Sequence, residues 1–196
     1  MKKISYDKIK NAYLNKGYKF FEGELNINLF AVRDVNAKAD DKFDCTFGVA
    51  YEFKKMNMCE TFSCTTIPGI FWLKKFFNEQ WGGTAIMAEG QFRNSFVIGK
   101  QHGHDALIQC KAIPVYRDGN KDLIYDKNPS TIMKGIFSTN IHRAGTNSQI
   151  IGNWSAGCQV LQKSADMDRI IYLCRESAKI YGNVFTYTLF ADDEVI

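Results

Sequence analysis

The stretch FDCTFGVAYEF, residues 43–53, alternates apolar and polar side chains with a period of two. Its apolar members are Phe43, Cys45, Phe47, Val49, Tyr51 and Phe53. Because successive side chains of a strand point to opposite faces of a sheet, this pattern predicts a half-buried β-strand. Residues 25–31 alternate in the same way, and the polar residues 34–41 between the two stretches indicate a loop. This part of the chain is therefore expected to form sheet.

Working outward, short apolar runs between turn residues predict further strands. These are expected at 84–88, 95–99, 106–109, 112–116, 135–141 and 184–190, with one more that contains Cys59 and Cys64. Helices are expected at 5–16, between Ser5 as cap and Gly17, and at 164–181, with Ser164 as cap and Gly182 at its end. The predicted fold class is mainly β with flanking helices (α+β), in one domain over 1–196, with a helical appendage over 1–20.

Composition excludes several classes of protein. The 196 residues are 45% hydrophobic and carry a formal net charge of +4, with the basic residues dispersed. Because the basic residues do not cluster into a patch, nucleic-acid binding is not expected. No apolar run is long enough to cross a bilayer, so stable membrane insertion is not expected either. Two lysines follow Met1 without an apolar stretch after them. Synthesis in the cytoplasm without a signal peptide is the expectation, and the sequence does not indicate an oligomeric state.

The segment 69–81 is aromatic and basic, with Ile70, Phe71, Trp72, Phe76, Phe77 and Trp81. It could touch a membrane or a partner, or it could pack as a core loop or short helix, and packing is the favoured interpretation.

Metal and cofactor sites are not indicated. None of the six cysteines forms a Cys-x-x-Cys pair, so thiols are expected. His102 and His104 form a His-x-His pair next to a single aspartate. A polar loop that could rim a cleft is the favoured interpretation, over a metal pair.

Residues 135–161 read GIFSTNIHRAGTNSQIIGNWSAGCQVL. His142 ends a β-like run, and Cys158 follows sixteen positions later (158 − 142), directly after Gly157. An imidazole can take the proton of a thiol and return it to a leaving amine. A glycine before the nucleophile lets backbone N–H groups approach a developing oxyanion. The pattern predicts a cysteine nucleophile with a histidine base.

The same segment resembles the catalytic region of the L,D-transpeptidases of YkuD type, with Ile141-His142 and Ser155-x-Gly157-Cys158 at the spacing of that family. The resemblance implies a β-sandwich fold and Cys158 as the acylated nucleophile, with His142 as its base. It also implies that the Arg143 carbonyl orients the imidazole and that Ser155 and Gly157 shape the oxyanion site. A looser similarity to phage-encoded lysins covers residues 68–161.

The resemblance implies peptidoglycan stem peptides as substrates, cut or exchanged at an L–D bond through a thioester, with no cofactor. Arg143, Ala156, Gln159 and Val160 stand where the family carries other residues. Arg143 could clamp a substrate carboxylate or make a surface ion pair, and Trp154 could line the site or pack. Gln159 and His102 are the further substrate-binding candidates. Hydrolysis is favoured over cross-linking, on a cell wall reached after release or delivery. A non-catalytic wall-binding or structural protein and a secreted antibacterial toxin are the alternatives.

Overall fold

A computed structural model describes residues 3–75 and 79–195 of the chain. In these ranges the strands are β1 Asn28–Arg33, β2 Cys45–Phe53, β3 Met56–Thr65, β4 Thr84–Met87, β5 Gly90–Gln101, β6 His104–Gln109, β7 Ile113–Asp118, β8 Met133–Gly135, β9 Ile141–Arg143, β10 Gln159–Leu161 and β11 Phe185–Ala191. The helices are α1 Tyr6–Asn15, α2 Ile70–Lys75 and α3 Ser164–Tyr181, with short 3-10 turns at Glu79–Trp81, Pro129–Thr131 and Asp192–Glu194. The fold is mainly β with a few helices, as the alternating patterns predict.

Eight of these strands close into a barrel, in the order β1-β11-β5-β6-β9-β10-β3-β2. The pairs β1–β11 and β9–β10 are parallel, and the other neighbours are antiparallel. Strands β4, β7 and β8 form a separate antiparallel sheet. The expected sandwich of two facing sheets is therefore not what forms. Because β10 joins β9 to β3 and β1 joins β11 to β2, the main sheet closes on itself and keeps no free edge.

The core lies on both sides of β1. Leu29 and Ala31 belong to the large cluster inside the barrel, which also contains the apolar face of α3. Phe30 and Val32 belong to a second cluster, in which α1 covers the outer face of the sheet. All six residues of β1 are buried, because one face of this strand meets the interior and the other meets a helix.

The two long helices form where the sequence predicts them. The Ser5 hydroxyl accepts a hydrogen bond from the Lys8 N–H at 3.3 Å, which confirms the cap of α1. The cap predicted for α3 is wrong, because Ser164 is the first helical residue and Lys163 takes the cap position without a side-chain bond. Gly182 ends α3 with a φ of +88°.

The strand predicted over 135–141 is wrong in its centre, where residues 136–140 run irregularly between β8 and β9. The buried Gln109 side chain is the reason. Its Oε1 accepts hydrogen bonds from the Phe137 N–H at 3.0 Å and the Thr139 N–H at 3.1 Å, and these donors are then not available to a strand partner.

In the described ranges no helix is both long and apolar enough to cross a bilayer. All six cysteines are unpaired thiols. Of the aromatic segment, Phe76 and Phe77 lie outside the described residues, and Ile70–Lys75 forms the short helix α2.

Candidate active site

Two neighbouring parallel strands place His142 and Cys158 on one face of the barrel wall. His142 lies in β9, and Cys158 directly precedes β10. Ile141 pairs with Gln159, and continuing this register sets Cys158 level with Asn140. Ile141 and Gln159 both point into the barrel interior. Because side chains alternate along a strand, His142 and Cys158 share the opposite, outer face.

A tight turn before Cys158 fixes the position of its backbone. The buried Ser155 hydroxyl donates to the Cys158 carbonyl at 2.8 Å and accepts from the Gly157 N–H at 3.3 Å. Gly157 has a φ of +118°, and a Cβ built there would lie 2.5 Å from the Ala85 carbonyl oxygen of β4. Ser155 therefore shapes the turn through the backbone, and only glycine fits at position 157.

The irregular segment 136–140 forms the other wall beside the thiol. The Cys158 thiol donates to the Ser138 carbonyl at 3.4 Å, and Ser138 itself has a φ of +57°. Asn140 holds the base of this segment, since its side chain accepts from the Gln109 N–H and donates to Gln101 Oε1, both at 2.9 Å. None of these three polar residues (Gln109, Ser138, Asn140) was singled out from the sequence, which carries no pattern that marks them.

One ring nitrogen of His142 is hydrogen-bonded to the backbone. Its Nδ1 lies 2.8 Å from the Arg143 carbonyl oxygen, the contact that the family resemblance implies. Because a carbonyl oxygen only accepts, Nδ1 carries the proton, and Nε2 is left as the basic nitrogen. Nε2 is buried and has no hydrogen-bond partner in the described part of the chain. Burial lowers the pKa of His142 to about 4, so the imidazole is neutral at physiological pH.

Cys158 is half-buried and protonated in the resting state. Burial raises the pKa of its thiol to about 11, against the opposing effect of a backbone hydrogen bond at Asn140. The thiol is bonded to the Ser138 carbonyl, and no hydrogen bond between Sγ and the His142 ring is present among the described contacts. The resting site thus holds a neutral thiol and a neutral imidazole, so a proton transfer between them would have to accompany attack by the sulfur.

Two adjoining cavities open on this face. The larger, about 500 Å³, is lined by Cys158 and Ala156. The smaller, about 380 Å³, is lined by His142 and Arg143. Both are lined by the same four residues, which are Gln101, His102, Asn153 and Trp154. Trp154 and His102 therefore stand at the boundary between the two cavities, on the same cleft as the candidate nucleophile and base.

Of the other two site residues predicted from the sequence, one lies at the cavity and one does not. Arg143 lines the smaller cavity, and its Nη2 lies 2.8 Å from Nε2 of the exposed His104 rather than against a carboxylate. The Gln159 side chain is fully buried inside the barrel, where its Oε1 accepts a hydrogen bond from the Tyr187 hydroxyl at 2.9 Å. This placement argues against the predicted substrate contact of Gln159, because its side chain follows the inward alternation of β10.

An aromatic wall completes the larger cavity. Trp72 and Trp81 both line it, and Trp72 Nε1 donates to the Asn153 carbonyl at 3.0 Å. Trp81 and Phe137 flank the guanidinium of Arg117, which also lines this cavity. Trp72 and Trp81 of segment 69–81 thus contact other residues of the chain at the edge of the cavity. Arg117 was missed because a lone arginine in a strand carries no sequence signature.

The lowered pKa of His142 predicts a loss of stability in acid. The unfolded chain binds a proton near pH 6.5 whereas the folded chain binds it only near pH 4, so stability falls as the pH drops through this window. We expect the free energy of unfolding of the wild type to fall by about 3 kcal/mol more than that of His142→Gln. Urea unfolding at several pH values measures this difference. Equal losses in both proteins would contradict a buried, neutral His142.

In the described residues no group of three or more His, Cys, Asp or Glu side chains is arranged to hold a metal ion. Comparison of the chain with protein-family models, with curated proteins and with solved structures gives no match.

Proposed function

We propose that this chain is a cysteine-dependent acyl-transfer enzyme with Cys158 as nucleophile and His142 as base. One observation carries the proposal: an imidazole whose buried Nε2 has no hydrogen-bond partner among the described residues lies on the same face of two paired strands as a thiol. The imidazole and the thiol line two adjoining cavities that share four residues. A buried nitrogen without a hydrogen-bond partner destabilises the fold, and a catalytic role is one reason for a protein to keep such a group.

The chemistry follows from the resting protonation states. As Sγ attacks a peptide carbonyl, His142 Nε2 takes the thiol proton, and the carbonyl oxygen becomes an oxyanion. His142 then gives that proton to the departing amine, the C–N bond breaks, and a thioester remains on Cys158. Water, deprotonated by Nε2, releases the acid and the thiol, whereas an amine acceptor would yield a new peptide bond.

The resemblance of residues 135–161 extends this proposal to a substrate class and a finer fold. We propose an L,D-transpeptidase-like domain, of lysin type, that acts on peptidoglycan stem peptides at an L–D bond after release or delivery to the wall. Hydrolysis is the proposed outcome, since Arg143 and Ala156 replace the family's residues beside the reacting pair. The contact of Nδ1 with the Arg143 carbonyl supports the resemblance.

Incubation of the purified protein with defined muropeptides tests this proposal. Mass spectrometry of the products separates its outcomes, because hydrolysis adds the mass of water across one bond and exchange replaces one amine by another. We expect loss of a D-amino acid or of a D-centred fragment. Muropeptides of unchanged mass after long incubation would contradict the proposal.

A non-catalytic wall-binding protein is the second candidate, and one observation favours it: no hydrogen bond joins the Cys158 thiol to His142 among the described contacts. Sedimentation with purified cell-wall sacculi separates the two candidates. A binder would sediment with the sacculi without releasing soluble fragments, whereas the enzyme releases them.

A further inference from the structure

Arg117, in strand β7, is buried at the larger cavity without the partners that a guanidinium needs. Its side chain is 6% exposed. Nη1 donates to the Gly83 carbonyl at 3.3 Å, whereas Nε and Nη2 have no hydrogen-bond partner in the described part of the chain. The guanidinium carbon lies 4.4 Å from the centre of the Phe137 ring and 5.3 Å from that of Trp81.

A second buried arginine shows what a structural guanidinium looks like in this fold. Arg33 is 1% exposed and uses all three nitrogens, with Nε on the Thr66 hydroxyl, Nη2 on the Thr66 carbonyl and Nη1 on Glu89. Such pairing offsets the cost of burying the charge. Arg117 lacks a carboxylate partner among the described residues, so its charge is buried without that compensation.

The cavity around Arg117 suits an anion. Cys158 lines it together with uncharged polar side chains such as Gln101, Thr139 and Asn140. No acidic side chain lines it among the described residues. The ring contacts hold the plane of the guanidinium. Its Nε and Nη2 form one edge with two N–H donors, and such an edge fits a carboxylate bidentately.

We propose that Arg117 binds a carboxylate of the substrate and thereby selects acidic peptides for Cys158. This inference rests on the proposed function and names the substrate feature that the site recognises. Two carboxylates of a stem-type peptide have this chemistry: the C-terminal carboxylate of the D-residue and the side-chain carboxylate of the L-centre residue. Arg117 takes no part in bond making, so it is a specificity-determining residue.

Binding to the Cys158→Ala protein tests the proposal without requiring turnover. Four peptides that differ only in amidation of the C-terminal or the side-chain carboxylate are titrated by calorimetry. We expect amidation of one carboxylate to weaken binding at least about tenfold, and that position identifies the source. In the Arg117→Met, Cys158→Ala protein the same amidation should change affinity less than about twofold. The proposal would be overturned if no peptide binds or if amidation has no effect at either position. It would also be overturned if amidation weakens binding equally with and without Arg117→Met.

Melting temperatures distinguish a binding role of Arg117 from a role in holding the fold together. Because Arg117 has no carboxylate partner among the described residues, Arg117→Met should keep or raise the melting temperature. Arg33→Met, which removes a fully bonded guanidinium, should lower it. Arg117→Lys keeps the positive charge but lacks the paired N–H donors of the guanidinium, so it should bind the acidic peptide with intermediate affinity. A melting temperature of Arg117→Met as low as that of Arg33→Met, or failure of Arg117→Met to fold, would assign Arg117 to the fold and overturn the proposal. Carboxylate-dependent binding without any cleavage by the wild type would instead reject the proposed enzyme and keep the anion site.

Discussion

Replacing Cys158 with alanine is expected to abolish cleavage of stem peptides, with a loss in kcat/KM of at least about 1000-fold. The reason is that the variant lacks the proposed nucleophile, and the hydroxyl of the nearby Ser155 is already bonded to the backbone. Rates are measured from the release of the peptide fragment at saturating and at low substrate concentration.

His142→Ala is expected to cause a loss of similar size, and the double variant should be little worse than either single one, because the two residues act as one unit. Cys110→Ala is the matched control, since that thiol is exposed and donates a long hydrogen bond to the Asn94 carbonyl, at 3.6 Å. It should cleave at the wild-type rate. Retention of activity within about tenfold by Cys158→Ala would contradict the assigned nucleophile.

Gly157→Ala is expected to destabilise the fold by about 2–5 kcal/mol and to remove activity with it. The added methyl would stand 2.5 Å from the Ala85 carbonyl oxygen and 3.0 Å from the Ala85 side chain, and the φ of +118° is strained for any residue with a Cβ. Relief would require the turn to move away from β4, which displaces Cys158. Urea unfolding measures the change in the free energy of unfolding.

Gly103→Ala distinguishes the cost of a positive φ from the cost of the close approach to Ala85. Gly103 also has a positive φ, of +81°, but nothing lies within 4 Å of a Cβ placed there. We expect a cost of about 1 kcal/mol and unchanged activity, because only the backbone strain is added. If both variants lose the same free energy, the close approach of Gly157 to Ala85 does not constrain the turn.

Local patterns in the sequence predict most of the elements. The alternation in residues 43–53 predicts β2, and the apolar stripe with its terminal glycine predicts α3. These patterns succeed because burial on one face leaves a periodic trace in the chain. The strand expected at 135–141 fails because a distant side chain, Gln109, takes the backbone donors of its centre. Closure of the barrel is a matter of which strands pair, and alternation along one strand carries no information about its partner.

The sequence likewise predicts some residues of the candidate site and not others. His142 and Cys158 could be paired from residue type and spacing, and β9 and β10 bring them to the same face. Gln159 was expected to face a substrate, but the period of the strand sends its side chain inward to Tyr187. Arg117 belongs to a different sheet from His142, so only the packing of the three-stranded sheet against the barrel brings it to the cleft.

Intact-mass analysis of the protein after rapid quenching with a stem peptide in acid tests the central claim most directly. The account predicts a population of protein heavier by the mass of the acyl fragment, mapped by peptide fragmentation to Cys158 and lost after treatment with hydroxylamine, which cleaves thioesters. The adduct should be absent from Cys158→Ala and still form on Cys110→Ala. Release of cleaved peptide with no adduct at Cys158 under any quench time, or an adduct on another residue, would contradict it.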